Sequence, residues 1–288
     1  MGAVAFGCWR LTAPDVATNQ AVVEAAVDHG MTIVDTADVY GLDWGGRGFG
    51  ANEEALGAVL AAEPGLRDRI VLVTKGGIVP GTPYDSRPAH LRAACEASLR
   101  RLGVDHVDAY LVHRPDLFAH PTEVAAALAD LVERGLTSSV GVSNHAPSRT
   151  RALAAHLPAT VPLAVDQFEF SPAMVDPLFD GTLDACLEKG TLPMAWSPLA
   201  GGRLVGGKGD STIPHELLTA LDTIAESHGV SRAMIAVAFV LAHPARPVAV
   251  VGSQRPDRLA ELAAARGVVL DRAELYRIVE AALGTRLP

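Results

Sequence analysis

The chain reads as an α/β protein, a (β/α)₈ barrel of the TIM type forming one domain over residues 1–288. Three observations lead there. Short β-branched runs alternate with helix-patterned stretches from end to end, as a parallel sheet with crossover helices requires. Polar residues close four successive strand patterns: Asp35 after Ile33-Val34, Lys75 after Ile70-Val71-Leu72-Val73-Thr74, His113 after Tyr110-Leu111-Val112, and Ser143-Asn144 after Val140-Gly141-Val142. Barrel enzymes build their sites from such strand ends. Any one of these residues alone reads as a turn residue or a helix cap, but four on schedule do not. Last, 288 residues exceed an ordinary single domain, whereas barrels of this kind routinely reach that size as one unit.

Residues 4–7 form a short apolar strand. Within 19–29, Ala21, Val22, Ala25 and Ala26 recur at helical spacing, and Gly30 stops the helix. The strand at 33–36 hands over to a loop that carries Tyr40 back over Asp35. Residues 52–60 are a helix with Glu53 and Glu54 in its first turn, where the helix dipole favours acids. Strand 70–74, a Gly/Pro loop over 76–83 and a helix at 88–102 ended by Gly103 follow. Strand 106–112 leads into a loop bracketed by Pro115 and Pro121, then helix 122–134. The alternation continues with strand 139–143, helix 147–157, strand 163–168, helix 181–189 and strand 192–196. A glycine-rich loop, helices 214–228 and 232–241, strand 247–251 and helix 256–265 complete eight repeats. An amphipathic helix at 271–283 is extra to the barrel.

A composition 49% hydrophobic and only 5% aromatic suits a buried α/β core and argues against disorder. The net charge of −9, with no basic run, makes nucleic acid or an anionic membrane surface a poor partner. No apolar run reaches the roughly 18 residues of a membrane span, and no leader pattern opens the chain. Cys8, Cys95 and Cys186 are widely spaced with no metal-ligand pattern, so they are expected as core fillers in a reducing cytoplasm. No metal is expected, and the chain is expected to be a monomer or a weak homo-oligomer.

Two motifs invite a wrong reading. Gly46-Arg47-Gly48-Phe49-Gly50-Ala51 fits G-x-G-x-x-A, but that dinucleotide fingerprint must sit directly on a strand-to-helix turn, and here the Tyr40 loop intervenes. Gly202-Arg203-Leu204-Val205-Gly206-Gly207-Lys208 nearly spells a P-loop, yet Gly209 stands where the magnesium-binding Ser or Thr belongs. Both are expected to be flexible loops.

Asp35, Tyr40, Lys75 and His113 together form a plausible reaction centre at the barrel mouth. An ammonium beside a phenol favours phenolate and is expected to draw its pKa from about 10 toward neutrality. A phenol so tuned can protonate a developing alkoxide. Asp35 is expected to pair with Lys75, and His113 to orient a carbonyl oxygen by donating a hydrogen bond. Lys75 alone would read as a snorkelling strand-end lysine and His113 as a satisfied core histidine.

Over essentially its whole length the chain resembles the aldo-keto reductases. The resemblance is carried by Asp35-Thr36-Ala37-Asp38-Val39-Tyr40-Gly41, Val73-Thr74-Lys75, His113-Arg114-Pro115-Asp116, Gly141-Val142-Ser143-Asn144, Asp166-Gln167 and Trp196-Ser197-Pro198-Leu199. Gly181-Thr182-Leu183-Asp184 and Ala281-Ala282-Leu283-Gly284 resemble a bacterial subgroup of oxidoreductases. The resemblance implies NADPH-dependent reduction of an aldehyde or ketone, with Asp35, Tyr40, Lys75 and His113 as the catalytic tetrad and Tyr40 as general acid. It implies that Ser143, Asn144 and Gln167 hold the nicotinamide carboxamide and that Trp196 stacks on the ring. Met194, two residues earlier, already fills the inward-facing role of a core residue. Ser197, Leu199 and Gly201 would meet the pyrophosphate, and Gly252, Ser253, Gln254, Arg258 and Glu261 the adenosine half. Arg258 is the implied reader of the 2′-phosphate, with Arg255 one turn earlier in support. Trp9, Trp44, Phe49, Arg114 and Phe118 lie on the loops expected to line the substrate pocket, where Arg114 serves either a substrate carboxylate or an ion pair with Asp116.

The sequence also departs from the family pattern. Met1 lies so near the first strand that the hairpin plugging the barrel bottom in relatives is expected to be missing, exposing apolar core there. Gly252 and Leu262 stand where many members carry lysine and asparagine, which weakens strict NADPH preference and leaves NADH possible. Two other readings stay open: a nucleotide-binding regulatory module with little turnover, and an NAD-dependent sugar dehydrogenase. A panel of aldehydes, ketones and quinones assayed with NADPH separates them.

Overall fold

The computed structural model describes residues 3–206 and 212–288. Eight parallel strands close on themselves in sequence order: β1 (Val4–Gly7), β2 (Ile33–Asp35), β3 (Val71–Gly76), β4 (Ala109–Val112), β5 (Val140–Ser143), β6 (Leu163–Glu169), β7 (Leu192–Trp196) and β8 (Val248–Val251). Closure is made by β1 on β8, with Val4 opposite Ala249 and Phe6 opposite Val251. The helices α1 (Val16–Asp28), α2 (Ala51–Ala62), α3 (Pro88–Leu102), α4 (Pro121–Glu133), α5 (Pro147–Ala154) and α6 (Thr182–Lys189) each follow one strand. β7 is followed by two helices, α7 (His215–His228) and α8 (Arg232–Leu241). α9 (Pro256–Ala264) follows β8, and α10 (Arg272–Leu283) is the addition.

Local chemistry sets the element ends. α1 begins three residues before the expected start because Asp15 caps it, accepting from Thr18 N at 2.8 Å and from its hydroxyl at 2.9 Å. α10 opens with a reciprocal capping box between Asp271 and Glu274. β4 starts at Ala109 rather than 106, since Val107 makes only an isolated bridge to Thr137. β3 runs on through Lys75 to Gly76, so Lys75 is held as a strand residue and not on a loop.

Two apolar layers result. Ala5, Ile33, Val73, Ala109, Leu111, Val165, Met194, Val248 and Val250 fill the barrel interior, and a larger cluster lies between the sheet and the helices. The expected exposure of core at the barrel bottom is found only in part: Val71 and Leu192 are partly exposed, but Ile33, Ala109 and Val248 are 1%, 3% and 4% exposed. Their side chains, brought together by strand tilt, cover one another. All three cysteines are free and buried, as expected of core fillers. Among the described residues no single helix is long and apolar enough to cross a membrane.

Candidate active site

Six of the strands (β1, β2 and β5 to β8) and the loops after β3 and β4 send residues to one cavity of about 720 Å³ at the C-terminal mouth, within the size range of ligand sites, roughly 300–1,000 Å³. Beneath its floor Lys75 is fully buried, with all three ammonium protons committed. It donates to Asp35 Oδ2 at 2.8 Å, to the Thr36 carbonyl at 2.8 Å and to Tyr40 Oη at 3.1 Å. The other Asp35 oxygen accepts from Gln167 Nε2 at 2.8 Å. Because Lys75 donates to the phenol oxygen, the phenolic proton of Tyr40 is left for the cavity that its ring lines.

The electrostatics correct one expectation. Burial holds the Tyr40 phenol above its ordinary 10; Lys75 pulls it down by less, and Asp35 pushes it up. The expected drop toward neutrality is absent because burial outweighs the pull of Lys75, whose charge Asp35 also offsets within the same buried group. Burial disfavours the charge on Lys75, but Asp35 and Tyr40 outweigh it and the ammonium is retained. His113 is held well below its usual range by burial, then by the charges of Lys75 and Arg114, so it is a neutral imidazole. Its Nδ1 is buried without a partner and its ring stands edge-on to Tyr40 at 5.7 Å, which leaves Nε2 as the nitrogen for a ligand.

The residues expected around a nicotinamide line the same wall but are already interlocked. Asn144, at a φ of 59°, donates to the His113 carbonyl at 3.2 Å and to Ser143 Oγ at 2.7 Å. Its amide oxygen accepts from Trp196 Nε1 at 2.9 Å. Ser143, Asn144, Gln167 and Trp196 all line the cavity, and Met194 points into the barrel core as expected. The loop after β7 brings Ser197, Leu199 and Gly201 to the cavity, with Ser197 and Gly201 at φ of 51° and 69°.

At the far end, Gly252, Ser253 and Arg258 line the cavity, whereas Gln254 and Glu261 do not; Gln254 turns back to the Gly252 carbonyl at 3.3 Å. Arg258 sits in the first turn of α9, and its guanidinium makes no hydrogen bond or ion pair among the described residues. Arg255 also lines the cavity, with its guanidinium paired to Asp257 at 2.5 Å.

The expected substrate residues divide. Trp9 and Arg114 line the cavity. Trp44 does not, but it stacks edge-on against Trp9 at 5.6 Å and lies under the Arg10 guanidinium at 4.0 Å. Phe49 is remote, held 5.8 Å from the Arg101 guanidinium behind α2, and Phe118 is 98% exposed. Sequence reading missed Arg10, which donates to the Gly201 carbonyl at 2.9 Å across the cavity, and Asp43, which accepts from Trp9 Nε1 at 3.0 Å. Their positions on the loops after β1 and β2 were the available signal. Asp116 does not pair with Arg114, because its oxygens take Ser86 N at 2.9 Å and Phe118 N at 3.0 Å.

The glycine-rich stretch at 46–50 is no phosphate cradle, nor is it loose. A Cβ on Gly46 would collide with the Gly41 backbone, and Gly48 N donates to the Gly41 carbonyl at 2.9 Å. Gly41 itself needs its φ of +109° to make that crossing. Of the P-loop look-alike, Gly207, Lys208 and Gly209 lie outside the described residues.

A barrel with this mouth matches the model of the aldo/keto reductase family over residues 3–282. The chain belongs to that family. It is 45% identical to the 6-dehydroglucose reductase of Novosphingobium aromaticivorans, over 99% of this chain and 93% of the relative. It is 37% identical to the 6-dehydroglucose reductase of Agrobacterium fabrum, over 98% of this chain and 94% of that one. Among solved structures, the aldo/keto reductase of Klebsiella pneumoniae in complex with NADP and acetate superposes with a TM-score of 0.78 at 30% identity. That match covers 96% of this chain and 89% of the other. This chain thus covers most of the length of each of these three proteins.

Proposed function

We propose that this chain reduces the aldehyde carbonyl of an oxidised sugar of the 6-dehydroglucose type, with NADPH as reductant. The observation that carries the reading is the commitment of all three Lys75 protons, one of them to the Tyr40 oxygen, which turns the phenol's own proton toward the cavity. The residues fit a phosphorylated dinucleotide. Arg258 offers an uncommitted guanidinium in the first turn of a helix, where backbone N–H groups also favour an anion. Gly252 forms bare cavity wall, where an added Cβ would come within 3.2 Å of the Gly7 carbonyl.

NADPH, when bound, supplies the hydride. The chain supplies the rest. His113 Nε2 donates to the substrate oxygen and fixes its place beside Tyr40. As negative charge builds on that oxygen, Tyr40 delivers its proton, and Lys75 stabilises the phenolate left behind. Asp35 keeps Lys75 charged, and Gln167 keeps Asp35 turned to it. A phenol held above its ordinary 10 is a proton donor at neutral pH, which favours reduction over oxidation of the alcohol. In this reading the chain works as one domain, as a monomer or weak homo-oligomer.

The test is loss of NADPH absorbance with 6-dehydroglucose beside unhydroxylated aldehydes and ketones. The sugar should give the highest kcat/KM. Tight NADPH binding with no turnover of any carbonyl would instead identify a regulatory module.

A further inference from the structure

At the substrate end of the cavity stands a guanidinium that no acceptor holds among the described residues. Arg114 follows His113 directly, is half-buried, lines the cavity, and makes no hydrogen bond or ion pair among the described residues. Its near neighbour Asp116 accepts from Ser86 N and Phe118 N and makes no ion pair with Arg114 among the described residues. The other cavity arginine near this end, Arg10, is spent on the Gly201 carbonyl and the Trp44 ring. A half-buried group with five donors and no acceptor loses water contacts on closure of a ligand over it unless the ligand replaces them.

A guanidinium fork suits two adjacent oxygens, and these belong either to a carboxylate or to neighbouring hydroxyls. The surroundings decide. Glu169, at the C-terminal end of β6, lies in the fields of Arg203 and Arg114. Burial pushes its carboxyl up, as it would for an acid that is only partly balanced by those charges. Arg114 and Glu169 form no ion pair among the described residues, but a carboxylate ligand at Arg114 would add a second acid near Glu169 and so gains less there. A diol gains fully, because it needs only donors and acceptors. The same cavity is lined by Trp9, a flat face for C–H groups, and by Asp43, which accepts from Trp9 Nε1 and fixes that ring.

We propose that Arg114 is a specificity residue that reads vicinal hydroxyl groups next to the reacting aldehyde, so that the enzyme selects polyhydroxylated aldehydes over plain ones. This deepens the sugar-aldehyde reading and rests on it for the sugar itself.

The test uses Arg114→Met, which keeps the apolar stem, and Arg114→Lys. NADPH affinity, measured by fluorescence quenching, should be unchanged in both and shows that each is folded. Two aldehyde pairs are then compared: 6-dehydroglucose with hexanal, and glyceraldehyde with propanal. In Arg114→Met, kcat/KM for the hydroxylated member should fall roughly 10- to 100-fold, mainly through KM, with the plain member within about twofold of wild type. Arg114→Lys should recover part of the loss, since one donor returns without the fork. Equal losses for both members, or a loss in kcat alone, would overturn the proposal. So would a wild-type preference for succinic semialdehyde that disappears in Arg114→Met, because Arg114 would then read a carboxylate. If wild type ignores 6-dehydroglucose yet prefers glyceraldehyde to propanal through Arg114, the sugar assignment falls and the diol reading stands.

Discussion

At the scale of single residues, the proton of Tyr40 and the charge of Lys75 are held by the same three hydrogen bonds. Tyr40→Phe removes one oxygen that faces substrate and touches no residue expected at the nucleotide. Carbonyl reduction should fall roughly 10²–10⁴-fold with NADPH affinity intact; near wild-type turnover on a good substrate would remove Tyr40 from the mechanism. Lys75→Met leaves the Asp35 carboxylate buried with only Gln167 as partner. Unfolding free energy should drop on the order of 3–5 kcal/mol, as for other broken buried pairs. The basic limb of the activity profile should also move to higher pH, because the cation that pulls the Tyr40 phenol down is gone. Denaturant melts and pH–rate profiles check both; an unchanged melt and profile would contradict the arrangement. These four residues were legible because strand ends in a parallel barrel converge whatever fills the loops. The direction of the Tyr40 shift was not, since burial and the balancing of Lys75 by Asp35 are properties of packing that spacing does not carry.

At the scale of elements, β6 faces two ways. Gln167 points to the reaction centre, while Asp166 points outward beneath α5 and lines a smaller crevice of about 230 Å³. Asp166 is 2% exposed, with one oxygen accepting from Thr150 at 3.3 Å and the other unpartnered. Burial lifts its carboxyl from 3.8 to about 7, against the Thr150 bond and with added repulsion from Asp180. In the unfolded chain it ionises near 3.8, so stability from this group is complete below that pH and drains away as pH climbs to about 7. Asp166→Asn should therefore melt above wild type at pH 8, by a margin on the order of 2–4 kcal/mol, and the margin should close toward pH 4. Thermal melts at both pH values decide; a margin independent of pH would mean that the carboxyl does not titrate there. Element order was legible from alternation, and helix ends where Gly or Pro marked them. The Asp15 cap of α1 was equally visible but was passed over for the apolar spacing further on. Loop residues such as Phe49 and Phe118 misled, because a position on a mouth loop does not fix which way a side chain turns.

At the scale of the whole molecule, the cavity is lined by the loops after β1, β2, β7 and β8, which are far apart in sequence and neighbours only because the barrel closes. Arg10 on the first loop bonds to Gly201 on the seventh, and Arg258 stands beyond the eighth. Closure was predictable from the count of eight, whereas the reach of one side chain over 191 residues was not. A nucleotide that touches the first and last of these loops binds only the closed barrel, so its binding energy adds to the stability of the entire fold. NADPH at about a hundred times its dissociation constant should contribute about 2.7 kcal/mol, or roughly 4–5 °C in Tm for a chain of this size. In the proposed reading Arg258 should carry the part owed to the 2′-phosphate, through a charge-assisted bond of about 1.5–3 kcal/mol. At one fixed concentration of each nucleotide, wild type should melt higher with NADPH than with NADH, and Arg258→Ala should bring the two melts together by lowering only the NADPH value. Arg255, held by Asp257, should leave both melts in place when changed to Ala. Equal shifts from NADPH and NADH in the wild type, or equal losses of both in Arg258→Ala, would show that the 2′-phosphate is not read at α9.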